Sequence, residues 1–171
     1  MKSSIEITKL LHLLDEKLEY PEQIILCGGM AVALAFGGKR QTFDLDVIGP
    51  LPLSEHLRKK VIEVAEAEGV DPEWLNDSCK GFVDYIPLGW QKRLIPINIG
   101  LSKLTICSLG KPDLIMMKLR AGRERDLADI EMMGITKEDV QIIVENLDRI
   151  SKFDPKTALN IKLQLEEWKL V

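Results

Sequence analysis

The sequence predicts an α+β fold: a mixed β-sheet flanked by helices, followed by a helical C-terminal tail. Three observations carry this. A short, β-branched, almost wholly apolar run stands at 23–27 (QIILC), and a run alternating polar and apolar side chains stands at 41–48 (QTFDLDVI). From Pro112 onward every segment has helical spacing. Strands mixed with helices early and helices alone late define the class.

In chain order, Ile7, Leu10, Leu11, Leu14 and Leu18 recur at helical intervals over 3–19, with Ser3 or Ser4 as the cap and Pro21 as the stop. The strand at 23–27 runs into Gly28-Gly29, a short helix follows in MAVALAF, and Gly37-Gly38 ends it. The alternation at 41–48 predicts a strand with one wet face, broken by Pro50 and Pro52. Ser54 caps a helix over 55–68 that Gly69 terminates. Residues 71–90 are irregular, with a helical turn at 72–77 and a short strand at 82–86. Runs at 93–99 and 103–107 read as a hairpin. Helices then fall at 112–121, 125–133, 137–150 and 155–169. Thr136 with Asp139 forms a capping pair, and Asp154-Pro155 is a helix start. This organisation predicts one domain over 1–135 and a helical extension over 136–171 packed on it. Leu159, Ile161, Leu163, Leu165 and Trp168 cover more than one stripe of the last helix, which leaves apolar surface for a partner.

The 171 residues suit a single domain of 19.3 kDa. A net charge of −4 argues against a protein built chiefly to coat nucleic acid. Charges at Glu6, Lys9, Asp15, Glu16 and Lys17 interrupt the N-terminal apolar positions, against a signal peptide, and no run is long enough to cross a bilayer. Cys27, Cys79 and Cys107 are odd in number and far apart, which suits reduced thiols in the cytoplasm. With only His12 and His56, a zinc site is not indicated.

The chemistry concentrates in residues 28–47, GGMAVALAFGGKRQTFDLDV. On a strand, Thr42, Asp44 and Asp46 share one side, with the two carboxylates about 7 Å apart. Like charges on one face repel unless a cation sits between them. A hard divalent ion meets that need, because magnesium takes oxygen ligands from one or two carboxylates and completes its shell with substrate phosphates. Gly28 and Gly29 let backbone approach a phosphate at the start of a helix, and Arg40 is placed either to add a charge-assisted contact or to brace the strand. Each part alone has a plainer reading as a turn, a solvated face or a surface arginine. Together they outline a site for a nucleoside triphosphate with Mg2+ or Mn2+.

Gly28, Gly29, Arg40, Thr42, Asp44 and Asp46 resemble the signature of the DNA polymerase β-like nucleotidyltransferase superfamily. A second stretch, KLRAGRERDLADI, is similar to a motif of the small bacterial AbiEii-like nucleotidyltransferases, placing Lys118, Leu119, Ala121, Arg123 or Arg125, Asp126 and Asp129. The resemblance spans about residues 20–135. It implies Asp44 and Asp46 as catalytic metal ligands and Lys118 as a phosphate contact, with Asp126 and Asp129 shaping the nucleotide site. The residues themselves also allow an internal ion-pair network among Lys118, Arg123 or Arg125 and the two aspartates. Active members of the superfamily usually carry a third carboxylate on a later strand. Asp84 is the candidate here, and Asp77 reads better as part of a turn.

The implied activity is metal-dependent transfer of a nucleoside monophosphate from an NTP to a hydroxyl of an acceptor, tRNA or protein in a toxin-like system with an antitoxin partner. The alternatives are a catalytically degenerate module that binds nucleotide or protein without turnover, and an interaction domain in which Asp44 and Asp46 are merely solvated.

Overall fold

The computed structural model describes residues 4–39, 42 and 44–171 of the chain. It is α+β, with seven α-helices and one five-stranded mixed sheet among the described residues. Two compact units divide it. The first comprises 1–81 and 94–109, and the second 82–93 and 110–171.

The first unit holds the sheet. Its elements are α1 (Ser4–Lys17), β1 (Glu22–Cys27), α2 (Gly28–Phe36), β2 (Leu45–Gly49), α3 (Glu55–Glu68), β3 (Leu75–Asn76), β4 (Ile95–Ile97) and β5 (Leu104–Ser108). The strand order is β3-β2-β1-β5-β4. β1 lies at the centre, antiparallel to β2 and parallel to β5. Its last four residues are buried, as a near-continuous apolar run with strands on both sides requires. β4 and β5 pair antiparallel, as the hairpin reading expects. α2 packs on β1, β2 and β4, while α1 and α3 pack on each other. Ile7, Leu11 and Leu14 of α1 are fully buried, which accounts for the helical spacing of the N-terminal segment.

Two expected strands are corrected. Of the run at 41–48, Thr42 and Asp44 are outside any strand and β2 begins at Leu45, where Leu45↔Leu75 opens the β2–β3 ladder and Cys27↔Asp46 is the last β1–β2 pair, while Gln41 and Phe43 lie outside the described residues. Nor does β2 keep one wet face. Leu45, Val47 and Ile48 are all buried and only Asp46 is half-buried, since this strand lies inside the sheet. The expected strand at 82–86 is instead part of a 3-10 segment, Ser78–Tyr85. Its final carbonyls bond side chains rather than a neighbouring strand: Asn146 Nδ2 donates to Tyr85 O at 2.8 Å and Arg149 Nη2 to Ile86 O at 2.9 Å. The helical turn near 72–77 resolves into a 3-10 turn (Pro72–Trp74) and the two-residue β3.

One buried carboxylate organises the edge of this unit. Asp15 of α1 accepts from the Ser102, Lys103 and Leu104 amides at 3.0, 2.7 and 2.6 Å and from the Ser102 hydroxyl at 2.9 Å. Burial by itself raises its pKa, but those amides and the hydroxyl outweigh burial and hold it at about 2. A depressed carboxylate stabilises the fold above its unfolded pKa, and that contribution disappears as pH falls through the folded value. Stability of the wild type therefore falls between about pH 4 and pH 2. Asp15→Ala removes this component of the acid dependence and costs about 2–4 kcal/mol, since it strands buried amides. Urea unfolding at pH 7 and pH 3 checks both.

The second unit is the helical part: α4 (Lys111–Ala121), α5 (Glu124–Met133), α6 (Lys137–Ser151) and α7 (Pro155–Glu167). Ile115, Met116, Ile130, Ile143, Ile150, Ile161 and Leu165 form its core. Thr136 and Asp139 make a complete capping box on α6, and Asp154 caps α7 by accepting from Thr157 N at 3.1 Å. On α7, Ile161 and Leu165 face inward, whereas Leu159 and Leu163 are exposed. Among the described residues no helix is long and apolar enough to cross a membrane, and Cys27, Cys79 and Cys107 form no disulfide.

Candidate nucleotide-binding site

β1 and β2 bring the glycine pair and the second aspartate together. Cys27, the last residue of β1, sits opposite Asp46, and its Sγ contacts the Asp46 carbonyl at 3.6 Å. The chain turns at once into α2 at Gly28, whose φ is +76°. Only glycine takes that conformation without strain. A second constraint is local: a Cβ on Gly28 would run into Asp46 Oδ2 and lie 3.2 Å from the Asp46 Cβ and Cγ. The bare backbone of residue 28 is therefore what admits the Asp46 carboxylate beside the first turn of α2. Cys27 provides no side-chain cap for that turn, and the turn contains no acidic residue. Gly29 is buried within it.

Asp44 is exposed and lies one residue before β2. Thr42 is buried, with its Oγ1 3.3 Å from Met30 Sδ and 3.4 Å from the Asp44 carbonyl. It thus ties the approach to β2 onto α2 and orients the backbone of Asp44. On the far side of β2, Asn76 of β3 is the register partner of Asp46. Asn76 donates to Glu73 O at 3.1 Å and accepts from Ser78 N at 2.9 Å, so its amide braces the β3 turn. Arg40, the expected charge-assisted contact, lies outside the described residues.

The donor set suits a hard divalent cation. It would draw on carboxylate oxygens of Asp44 and Asp46, of which Asp46 lies against the Gly28 turn, with substrate phosphates completing the shell. Among the described residues no group of three or more His, Cys, Asp or Glu could by itself hold a metal ion.

The second motif assembles in the helical unit. α4 ends at Gly122, with φ +63°, and α5 begins directly after Arg123. This corner sets Lys118, in the last turn of α4, against Asp126 and Asp129 on one face of α5. Lys118 Nζ donates to Asp126 Oδ1 at 3.0 Å and to Asp129 Oδ2 at 2.6 Å. All three residues are buried, at 4%, 0% and 7% exposure. Arg123 Nε donates to Asp126 Oδ2 at 2.6 Å. Burial raises the Asp126 pKa, but the Arg123 and Lys118 contacts outweigh it and hold the group below the usual range.

Asp84 is exposed on the 3-10 segment, not on a strand. The described strands β3, β4 and β5 read LN, IPI and LTICS, with no acid among them. Asp77 is held by Arg58 Nη2 at 2.6 Å, in keeping with the turn reading. The pairing of Arg93 with Asp113 has no signature in the sequence. Arg93 Nε and Nη2 grip the two carboxylate oxygens at 3.0 and 2.6 Å, while the same guanidinium donates to the Pro87 and Leu88 carbonyls. These partners stand 20 residues apart, beyond the reach of any local pattern.

The five-stranded mixed sheet flanked by helices is compatible with a nucleotidyltransferase-like fold. The chain belongs to the family described as "Nucleotidyltransferase of unknown function (DUF6036)", whose model matches residues 3–168. Neither curated proteins nor solved structures returned a match.

Proposed function

We propose that the protein transfers a nucleoside monophosphate from an NTP to a hydroxyl of an RNA or protein acceptor, with magnesium or manganese held by Asp44 and Asp46. The observation that carries this reading is the fit of the Asp46 carboxylate against Gly28, where any side chain would displace it. The β1–β2 register fixes Asp46, and Thr42 fixes the Asp44 backbone. The Gly28-Gly29 backbone receives the triphosphate at the start of α2. The bound ion would supply charge neutralisation on the phosphates and polarise the α-phosphoryl group. In the reaction the acceptor hydroxyl gives up its proton to solvent as its oxygen forms a bond to the α-phosphorus, the bond to the bridging oxygen breaks, and pyrophosphate leaves. The protein's share is positioning and electrostatics. A toxin-like role with an antitoxin partner extends the same reading through the resemblance to AbiEii-like proteins.

The absence of an acid from the described strands β3, β4 and β5 favours a second reading, a degenerate module that binds nucleotide without turnover. The engagement of Lys118 by two buried aspartates favours a structural role for that lysine within the helical unit, the alternative to the phosphate contact that the resemblance implies.

Thermal shift with each of the four NTPs, with and without Mg2+ or Mn2+, tests binding. Label from an α-phosphate-labelled NTP appearing on RNA or protein tests turnover. Transfer predicts both a metal-dependent rise for at least one NTP and metal-dependent labelling. The degenerate module predicts the first without the second. The absence of both defeats the proposal.

A further inference from the structure

α7 has a buried side and an open one. Ala158, Ile161 and Leu165 face the core of the helical unit. Leu159 and Leu163 each stand two residues from Ile161, which places them about 160° from it around the helix. They are 55% and 51% exposed. Among the described residues this is the only helix that exposes two large apolar side chains, and the two lie one turn apart. A helix face that meets only water carries polar residues there.

The charges around these leucines have a direction. Lys156 stands one turn before Leu159, and Glu166 and Glu167 stand one turn after Leu163. All three are exposed, and Glu167 is steadied by Gln164 Nε2 at 3.2 Å. Ile161 is the midpoint of the pattern: the leucines lie two residues to either side of it, and Lys156 and Glu166 five. Laid antiparallel on a second copy, about a twofold axis at residue 161, the face complements itself. Leu159 of one copy meets Leu163 of the other, and Lys156 meets the Glu166-Glu167 pair. The symmetry repeats both contacts, as an isologous interface requires. A parallel pairing would set lysine on lysine and glutamate on glutamate. Antiparallel helices also bring opposite dipole ends side by side. Lys162 is exposed at the rim, where water and salt screen its charge.

We propose that the outer face of α7 is an interface between two copies of this chain, paired antiparallel through Leu159 and Leu163, with Lys156 of each copy against Glu166 and Glu167 of the other. The leucines exclude water at the centre. The ion pairs at the ends fix orientation and register more than they add affinity. One helix face makes a small interface, so a Kd between about 10 μM and 1 mM is expected.

Sedimentation equilibrium of the full chain across that concentration range, with no nucleotide present, tests this. The expected result is a monomer–dimer equilibrium. Leu163→Gln, Lys156→Glu and the double variant Glu166→Lys with Glu167→Lys should each weaken it about tenfold or more. All four positions are exposed, so the variants stay folded. The decisive arm mixes the two charge-reversed proteins. Neither pairs with itself, because each sets like charges together. Their equimolar mixture should dimerise as the wild type does, because both sets of ion pairs re-form with the signs exchanged. A wild-type monomer at every concentration overturns the proposal and leaves the face to an occupant other than this chain. A dimer indifferent to these substitutions overturns it too, as does a mixture that fails to recover.

Discussion

On the proposed reading, Asp46→Asn should lower metal-dependent nucleotidyl transfer about 100- to 1,000-fold while leaving the fold intact. The substitution keeps the side-chain volume that meets Gly28 and removes the charge that a divalent ion requires. Asp46 is the half-buried position of an otherwise buried β2, so asparagine there leaves the packing of Leu45, Val47 and Ile48 unchanged. Gly28→Ala reaches the same loss from the opposite side. Alanine is strained at φ +76°, and its methyl group occupies the space of Asp46 Oδ2, so either the carboxylate or the turn into α2 has to move. Two variants, one on β2 and one at the start of α2, one electrostatic and one steric, should converge on the loss of NTP- and metal-dependent signal. Single-turnover transfer and thermal shift with NTP and Mg2+ measure it. Wild-type levels of transfer in Asp46→Asn would remove this carboxylate from the mechanism and the proposed site with it.

This candidate site was legible because its parts lie close in sequence and on opposite sides of one strand pair. Period-two alternation marks Asp44 and Asp46, and the glycine pair marks the exit from β1. The register then sets Gly28 next to Asp46, a proximity that no one-dimensional pattern states. The longer elements were legible for the same reason. Burial enforces a period on α1, α3 and α6, and capping residues such as Ser54 and Thr136 mark their starts. What escaped is short or non-local. β3 has two residues, too few to show a period, and is recognisable only because Leu45 and Asp46 pair with it. Residues 82–85 carry a strand-like run, yet the segment ends by giving carbonyls to Asn146 and Arg149, more than 60 residues away. The sequence left Arg123 and Arg125 as equal partners for Asp126, and the position of Arg123 at the corner before α5 gives it the 2.6 Å contact.

Lys118→Met destabilises the protein by about 3–5 kcal/mol. Lys118 Nζ is the shared donor between two carboxylates that are nearly inaccessible to water. Burying methionine in its place preserves the apolar stem but leaves Asp126 and Asp129 facing one another, with Arg123 at Asp126. For a chain of this length that cost corresponds to a fall in Tm on the order of 10 °C. Acid should narrow the gap. Asp126 is held below its ordinary pKa in the fold, so the stability it contributes is present above the unfolded value and lost as pH drops through the folded one. Adding Asp129→Leu to Lys118→Met should recover part of the loss, because it removes one stranded carboxylate together with its partner. Unfolding curves for the two single variants and the double variant measure the coupling directly. A phosphate-binding lysine predicts a different pattern: near-wild-type Tm in Lys118→Met, a raised KM for NTP, and no rescue by Asp129→Leu. The network reading requires the stability loss and its rescue to appear with no nucleotide present, since the partners of Lys118 in this unit are its own buried aspartates.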